Sequence, residues 1–279
     1  MRSMLRTAFG LTAILCLAGC GEGKPTVTIK GSDTMVILGQ RWAEEYGKKN
    51  NSVKIQVNGG GSGVGIAALI DGATDICAAS RPMKDKERAD VKAKFNKDVT
   101  EIPVALDGLA IFLSMNNPID ELSLAQLDGI YRGKITDWKD VGGKPGKIVC
   151  YGRENSSGTF QYFKEHVLKN ENFATEVQSL PGTAAVINAV SKDEKSIGYG
   201  GIGYAKEVKV IRVKNTDSSK AIEPSLATVV SGEYPISRKL FFYLAGEPKG
   251  DAKAFIDWCL SDEGQKICEQ VGYFPIPKK

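Results

Sequence analysis

The sequence is poor in histidine and lacks blocks of like charge, and each shortage excludes a class of protein. His166 is the one histidine in 279 residues, so a histidine-rich metal site is excluded and a Ser-His-Asp triad would depend on that residue alone. Lysine and arginine number 37 against 33 acids, without a basic block. This argues against a nucleic-acid partner, because phosphate-backbone binding needs clustered cations. We expect neither a metal nor a cofactor.

Long apolar runs are also lacking, and the one near the amino terminus is typical of an export signal. Arg2 and Arg6 precede a run that ends in Leu17–Cys20, and this run is shorter than the roughly 20 apolar residues of a membrane-spanning helix. Leu-Ala-Gly-Cys resembles the bacterial lipobox, which predicts a signal peptide over residues 1–19 and lipidation of Cys20. The alternative is an ordinary signal peptide in which the cysteine is incidental.

Four cysteines follow that position, and an exported chain permits their oxidation. They are Cys77, Cys150, Cys259 and Cys268. Four cysteines allow three pairings, and the last two lie close enough in sequence to pair. Buried free thiols fit the pattern as well, so the sequence leaves both states open.

Strand and helix patterns alternate along the chain. Val53–Val57 alternates as a strand does, while Met35, Leu38, Trp42 and Tyr46 recur at helical spacing. This repetition predicts an α/β protein with a largely parallel sheet. Other predicted strands and helices cover residues 26–30, 64–70, 74–79, 84–95, 124–131, 147–151, 157–168, 184–190, 197–204, 251–260 and 263–271.

Two further apolar stretches are predicted to cross between two lobes. They are Ile102–Ser114 and Arg238–Ala245. One lobe would then contain residues 20–106 and 238–279, and the other residues 107–237. We expect the crossing strands to flex near Asp107 and Arg238.

Three turns containing glycine and serine each follow a predicted strand and open a predicted helix. They are Gly31–Thr34, Gly60–Gly63 and Arg153–Thr159. A helix N-terminus presents unpaired N–H groups to an anion, glycine lets the backbone come close, and hydroxyls add donors. A serine in any one turn is most simply an N-cap. Three such turns together predict an oxyanion site at the carboxyl ends of the strands.

Charged side chains add to this predicted site. The planar guanidinium of Arg153 suits a tetrahedral anion, and Arg81 either acts in the same way or pairs with Asp107. A carboxylate accepts a hydrogen bond only from an anion that still carries a proton, as phosphate does and sulfate does not. Asp107 is the first candidate for this acceptor and Asp33 the second.

Motifs for other chemistries are rejected. Gly198–Gly203 matches a dinucleotide-binding pattern, but no long helix follows it. His166 lies beside Lys164 and Glu165 and is predicted at the surface. Neither a Walker A motif nor a G-x-S-x-G elbow is present, so enzymatic hydrolysis lacks a supported base.

With these residues, the chain resembles the phosphate-binding components of bacterial ABC phosphate importers, within the periplasmic binding-protein superfamily. The resemblance runs from about Thr26 to Pro277, and its more specific motifs are Ile130–Trp138, Ile197–Tyr199 and Ser261–Lys266. It implies a type II-like fold of two α/β lobes and capture of inorganic phosphate in the interlobe cleft. It also implies an extracytoplasmic location and delivery of phosphate to the transmembrane permease subunits of an ABC transporter, without catalysis.

The turns, the charged residues and the resemblance together give one predicted phosphate site. Its residues are Ser32, Asp33, Thr34, Ser62, Arg81, Asp107, Arg153, Ser157, Gly158 and Thr159. Two positions depart from the family pattern. Many relatives have a proton-accepting aspartate where Arg81 follows Ser80, and some have an arginine-orienting acid where this chain has Asn155. The alternatives are a binder of sulfate, molybdate or tungstate, a secreted phosphatase, and an adhesive or scaffold lipoprotein.

Overall fold

The structure, a computed structural model, describes residues 24–277. Cys20 and the signal peptide, on which the predicted lipidation depends, lie outside these residues. The elements in chain order are β1 Thr26–Gly31, α1 Val36–Lys49, β2 Lys54–Asn58, α2 Ser62–Asp71, β3 Ile76–Ala79, α3 Asp85–Phe95, β4 Val99–Leu113, β5 Glu121–Ser123, α4 Leu124–Tyr131, β6 Val149–Arg153, α5 Gly158–His166, β7 Gln178–Leu180, α6 Gly182–Lys192, β8 Ser196–Gly201, β9 Lys209–Val210, β10 Arg212–Lys214, β11 Ala221–Ile222, α7 Leu226–Val230, β12 Ser237–Ala245, α8 Gly250–Leu260 and α9 Asp262–Val271. The predicted α/β class is confirmed.

The main sheet has the strand order β2-β1-β3-β12-β4-β8-β6-β7, and β9 also pairs with β4. The pairs β1–β2, β1–β3, β6–β7 and β6–β8 are parallel. The middle of the sheet is antiparallel, since β12 runs opposite to both β3 and β4, and β4 runs opposite to β8. The predicted parallel pairing is therefore found on either side of the two crossing strands β4 and β12. The crossing strands themselves pair in antiparallel fashion, because the chain passes along them in opposite directions.

Strand β4 joins the two parts of the sheet. Its residues 99–108 pair with β12, and Leu109–Leu113 pairs with β8. The β4–β12 ladder shifts register between Leu240 and Phe241, whose partners on β4 are Ala105 and Pro103. A bulge is expected beside Pro103, because proline has no N–H to give to the ladder.

The buried apolar side chains form separate cores in the two parts of the molecule. Two clusters draw their buried members from residues 27–105 and 240–273, and we call them the terminal core. Two other clusters draw theirs from residues 106–236, and we call them the central core. The division follows the two crossing strands.

Several sequence expectations outside the site are also answered. Cys77, Cys150, Cys259 and Cys268 are free thiols, so of the two states that the sequence left open the structure has the reduced one. Residues 198–201 end β8 and lead into a short 3₁₀ turn, Ile202–Tyr204, which agrees with rejecting the dinucleotide motif. His166 is exposed and stacks on Tyr162 at 3.8 Å between ring centroids.

Within residues 24–277, none of the helices has the length and apolar character needed to cross a membrane.

Candidate functional site

Hydroxyl groups of the first and third predicted turns meet in the interior. The Oγ1 atoms of Thr34 and Thr159 are 2.8 Å apart, and both side chains are buried. The second turn joins the third through the backbone, where Gly63 N donates to Ser156 O at 2.9 Å. These contacts link residues 24–105 to residues 106–236, so the three turns form one site between the two cores.

A second group of hydroxyls surrounds the end of β3. Ser32 Oγ donates to Ser80 Oγ at 2.8 Å, and Ser80 Oγ lies 3.3 Å from Ser62 Oγ. Gly158 packs against this group, since a Cβ there would lie 2.3 Å from Ser62 Oγ and 2.8 Å from Ser80 Oγ. The first turn of α5 therefore approaches the serines only because residue 158 has no side chain.

The three turn serines differ in what their hydroxyls do. Ser157 caps α5 and accepts from the N–H groups of Thr159 and Phe160 at 3.2 and 3.3 Å. The hydroxyls of Ser32 and Ser62 make no capping hydrogen bond. The N-cap interpretation thus holds for Ser157 and fails for the other two, whose hydroxyls face the site.

Arg153 lies at the carboxyl end of β6 and is buried in the site. Its Nη1 donates to Thr183 Oγ1 at 2.8 Å, and its Nη2 donates to Asp33 Oδ2 at 2.8 Å. Burial lowers the pKa of the Arg153 guanidinium below its ordinary value, while the Asp33 carboxylate opposes that shift. Arg153 therefore contributes a positive charge that is already paired with an acid from the terminal part of the chain.

A second buried ion pair joins the two crossing strands. Asp107 on β4 lies opposite Arg238 on β12, and Asp107 Oδ2 accepts from Nε and Nη2 of Arg238 at 2.9 and 2.7 Å. Arg238 also donates to Ser80 O and Thr159 Oγ1, both at 3.0 Å. The sequence placed Arg238 at the hinge but not in the site. The available signal was an arginine near the start of a strand whose later residues are apolar.

Arg81 is separated from this group by a partner of its own. Its guanidinium donates to Glu87 Oε1 and Oε2 at 2.7 and 2.9 Å, and to Pro82 O at 2.9 Å. Burial raises the pKa of Glu87, but the hydrogen bonds from Arg81 and from Lys84 N, together with the two positive charges, outweigh this effect and the pKa is lowered overall. Of the two alternatives for Arg81, pairing with Asp107 is wrong, because the first turn of α3 brings Glu87 to the arginine and Asp107 pairs with Arg238.

The two candidate proton acceptors differ in how fully their oxygens are used. Asp107 is fully buried, its Oδ2 accepts twice from Arg238, and its Oδ1 accepts from Ile202 N at 3.0 Å. Asp33 accepts from Gly60 N through Oδ1 at 2.8 Å and from Arg153 through Oδ2. Because each carboxylate oxygen accepts about two hydrogen bonds, Asp33 keeps more accepting capacity than Asp107.

Two tyrosines hold the backbone of the first turn. Tyr204 OH donates to Asp33 O at 2.7 Å, and Tyr273 OH donates to Thr34 O at 2.5 Å. Burial raises the pKa of Tyr204 to about 12, so this donor keeps its proton at neutral pH. Neither tyrosine was identified from the sequence, since both lie far along the chain from the turn that they support.

Comparison with known proteins places this architecture in a family. The family model described as a PBP superfamily domain matches residues 18–263. The phosphate-binding protein PstS of Pseudomonas aeruginosa is 35% identical over 268 residues, which cover 89% of this chain and 82% of that protein.

Solved structures agree with this result. A putative phosphate ABC transporter substrate-binding protein from Clostridium perfringens, with bound phosphate, has a TM-score of 0.82 and 31% identity, covering 90% of this chain and 100% of that one. An ABC-type phosphate transport receptor from Vibrio cholerae has a TM-score of 0.71 and 28% identity, with the same coverage. The predicted two-lobed binding-protein fold is thereby confirmed. The chain belongs to the PBP superfamily and, within it, to the family of the PstS phosphate-binding proteins.

Proposed function

We propose that this chain captures inorganic phosphate in the cleft between its lobes and delivers it to the permease subunits of an ABC transporter. The observation that carries the proposal is the meeting of the Thr34 and Thr159 hydroxyls, 2.8 Å apart, in an interior where the buried guanidinium of Arg153 reaches Asp33, the residue next to Thr34, at 2.8 Å. Donors from two separately cored parts of the molecule thus converge on one point. Membership of the phosphate-binding family supports phosphate as the anion.

The lobes that we propose are those expected from the sequence, residues 20–106 with 238–279 and residues 107–237. The separate terminal and central cores support this division. Strands β4 and β12 are the connections, and Asp107 and Arg238 face each other where the chain passes between the lobes. Opening and closing is then a hinge motion about these two strands.

The proposed ligands are hydrogen-bond donors more than free charges. The first N–H groups of α2 and α5 have no acceptors within their own helices, and the helix dipole makes these ends attractive to an anion. Hydroxyls that now bond one another would turn to the phosphate oxygens. The side chains and backbone groups that we assign to phosphate are those of Ser32, Thr34, Ser62, Arg153, Ser157, Gly158 and Thr159. Closure excludes water and strengthens each of these bonds.

The chemistry of the proposed function ends with binding. No covalent bond of phosphate is broken, and the lobes open on the permease to release the ion. We place the protein on the extracytoplasmic side of the membrane and propose that Cys20 carries a lipid that holds it there, on the strength of the lipobox pattern Leu17–Cys20. Mass spectrometry of the mature amino terminus tests the lipid.

Calorimetric titration tests phosphate binding directly. Arg153→Ala should lose at least about 100-fold in phosphate affinity, because a charge-assisted, two-donor partner of the anion is removed. Arg212→Ala is the matched control, since Arg212 is an exposed arginine paired with Glu121, and it should bind as the unaltered protein does. Circular dichroism checks that both variants fold.

Two outcomes would contradict the proposal. One is unchanged phosphate binding in Arg153→Ala. The other is sulfate or molybdate binding as tightly as phosphate to the unaltered protein, which would assign the cleft to a different anion.

A further inference from the structure

Arg153 takes its acid partner from the opposite side of the cleft. Asp33 and Arg153 are 120 positions apart in the chain, and their side chains meet at 2.8 Å. Asp33 follows β1, whose apolar side chains pack in the terminal core, whereas Arg153 ends β6, which pairs with β8 in the part of the sheet formed by residues 106–236. The ion pair can exist only while the two parts are in contact.

The Asp33 carboxylate is itself held in place. Its Oδ1 accepts from Gly60 N of the same lobe at 2.8 Å, whereas its backbone carbonyl accepts from Tyr204 OH of the other lobe at 2.7 Å. One carboxylate oxygen therefore fixes the residue to its own side of the cleft, and the other reaches across it. A side chain that is fixed at one atom and bonds to a functional group through another is typical of a residue that positions that group.

Arg153 has no comparable partner on its own side. Its second hydrogen bond goes to the uncharged Thr183, and within residues 24–277 its Nε has no hydrogen-bond partner. Asn155, two residues along the chain, lines the same cavity of about 310 Å³ as Arg153. Position 155 thus lies on the same lobe as Arg153 and is exposed, and the chain has a neutral amide there.

We infer that Asp33 is the positioning residue of Arg153 and that it acts across the cleft, so that the arginine is oriented only when the lobes close. This inference rests on the proposed function for its effect on phosphate. The ion pair contributes only to the closed form, so it also favours closure before any anion is bound. Asp33 thus couples the orientation of the arginine to the hinge.

Asp33→Asn tests whether the charge of Asp33 orients Arg153. Asparagine keeps an oxygen for Gly60 N but removes the charge that orients Arg153. We expect phosphate affinity to fall about tenfold, as for loss of one charge-assisted hydrogen bond. In small-angle scattering without phosphate, the radius of gyration should increase, because the closed form loses an ion pair.

Moving the acid to the other lobe gives the decisive comparison. In Asp33→Asn/Asn155→Asp the arginine again has a carboxylate, now on its own side, so the phosphate affinity should recover while the radius of gyration without phosphate stays large. Asp33→Asn/Asn155→Gln is the uncharged control and should recover neither quantity.

Each contrary result has a distinct meaning. Asp33→Asn binding phosphate as tightly as the unaltered protein, or more tightly, would overturn the inference, because Asp33 would then be a bystander or a source of repulsion. A loss that Asn155→Asp does not restore would assign Asp33 a structural role or a direct contact with phosphate and overturn the inference as well. Failure of the unaltered protein to bind phosphate would refute the proposed function instead, while the scattering comparison would still test closure by the Asp33–Arg153 pair.

Discussion

The lack of a side chain at two glycines allows the two sides of the cleft to approach each other closely. Gly158 lies against the hydroxyls of Ser62 and Ser80, which come from the other side. Gly61 has φ 97° and also faces Ser156 O, which a Cβ at position 61 would approach to 2.5 Å. These glycines are needed both for the local turns and for contact between distant segments.

Gly158→Ala should therefore weaken phosphate binding more than it weakens the fold. The added methyl group would lie 2.3 Å from Ser62 Oγ, but this clash exists only when the lobes are closed. We expect at least a tenfold loss of phosphate affinity by calorimetry, corresponding to about 1.4 kcal/mol or more, with a nearly unchanged melting temperature.

Gly47→Ala is the matched control for this substitution. Gly47 lies in helix α1, and a Cβ there would meet no atom within 4 Å. Alanine favours the helix, so this variant should bind phosphate normally and melt slightly higher. Equal phosphate affinity in Gly158→Ala and Gly47→Ala would show that the closed cleft has room at position 158.

Among the elements, β4 and β12 combine an ordinary apolar ladder with a buried ion pair. Asp107 and Arg238 are directly opposite in register, and each has further hydrogen bonds to neighbouring segments. Removing one partner of such a pair leaves the other charge buried without compensation, which costs more than the pair itself contributes.

Asp107→Asn should therefore destabilise the protein by about 3–5 kcal/mol. The amide oxygen still accepts from Ile202 N, so the loss reports on the uncompensated Arg238. Urea unfolding measures the change. Glu121→Gln, which removes an exposed partner of Arg212 and Lys214, is the control and should change little. Similar unfolding curves for the two variants would contradict a buried, charged Asp107.

The elements show what local sequence patterns can predict and where they stop. Helix α4 has the predicted bounds, Leu124–Tyr131, and the two crossing strands lie where apolar runs indicated. Turn chemistry also indicated the three segments that meet in the site. These features depend on periodicity and on residues within a few positions of each other.

The charge partners could not be predicted in this way. Arg153 pairs with Asp33 over 120 positions, and Asp107 pairs with Arg238 over 131. Local spacing carries no information about such contacts, because Asp107 and Arg238 meet through the pairing of β4 with β12, and Asp33 and Arg153 meet through contact between the two parts of the molecule. For Arg81 the partner is local, since Glu87 is six residues away at the start of a predicted helix, and this spacing is a signal from which the pair could be predicted.

For the whole molecule, burial of thiols and phenols sets an alkaline limit on stability. Burial raises the pKa of Cys77 and of Cys150 to about 12, and does the same for Tyr162 and Tyr204. In the unfolded chain these groups ionise near pH 9 to 10. The folded state therefore holds protons that the unfolded state releases, so stability is full below about pH 9 and is lost as pH rises toward 12.

Urea unfolding in reductant should show this loss. We expect the free energy of unfolding to fall between pH 9 and pH 11, with a slope of up to about 1.4 kcal/mol per pH unit for each such group. Cys77→Ala should make the fall shallower, because one of the groups is removed. Equal free energies of unfolding at pH 8.5 and pH 10.5 would contradict the expected burial of these side chains.

The pairing of Gly108 with Ser237 in the β4–β12 ladder has a consequence for how this architecture can be varied. The chain leaves one half of the protein at Gly108 and returns at Ser237, its immediate neighbour across the ladder. Topologically, the intervening 128 residues, 109–236, are therefore an insertion with a single point of attachment. Such a cassette can be exchanged between homologues by two splices at one location, without rerouting any other connection.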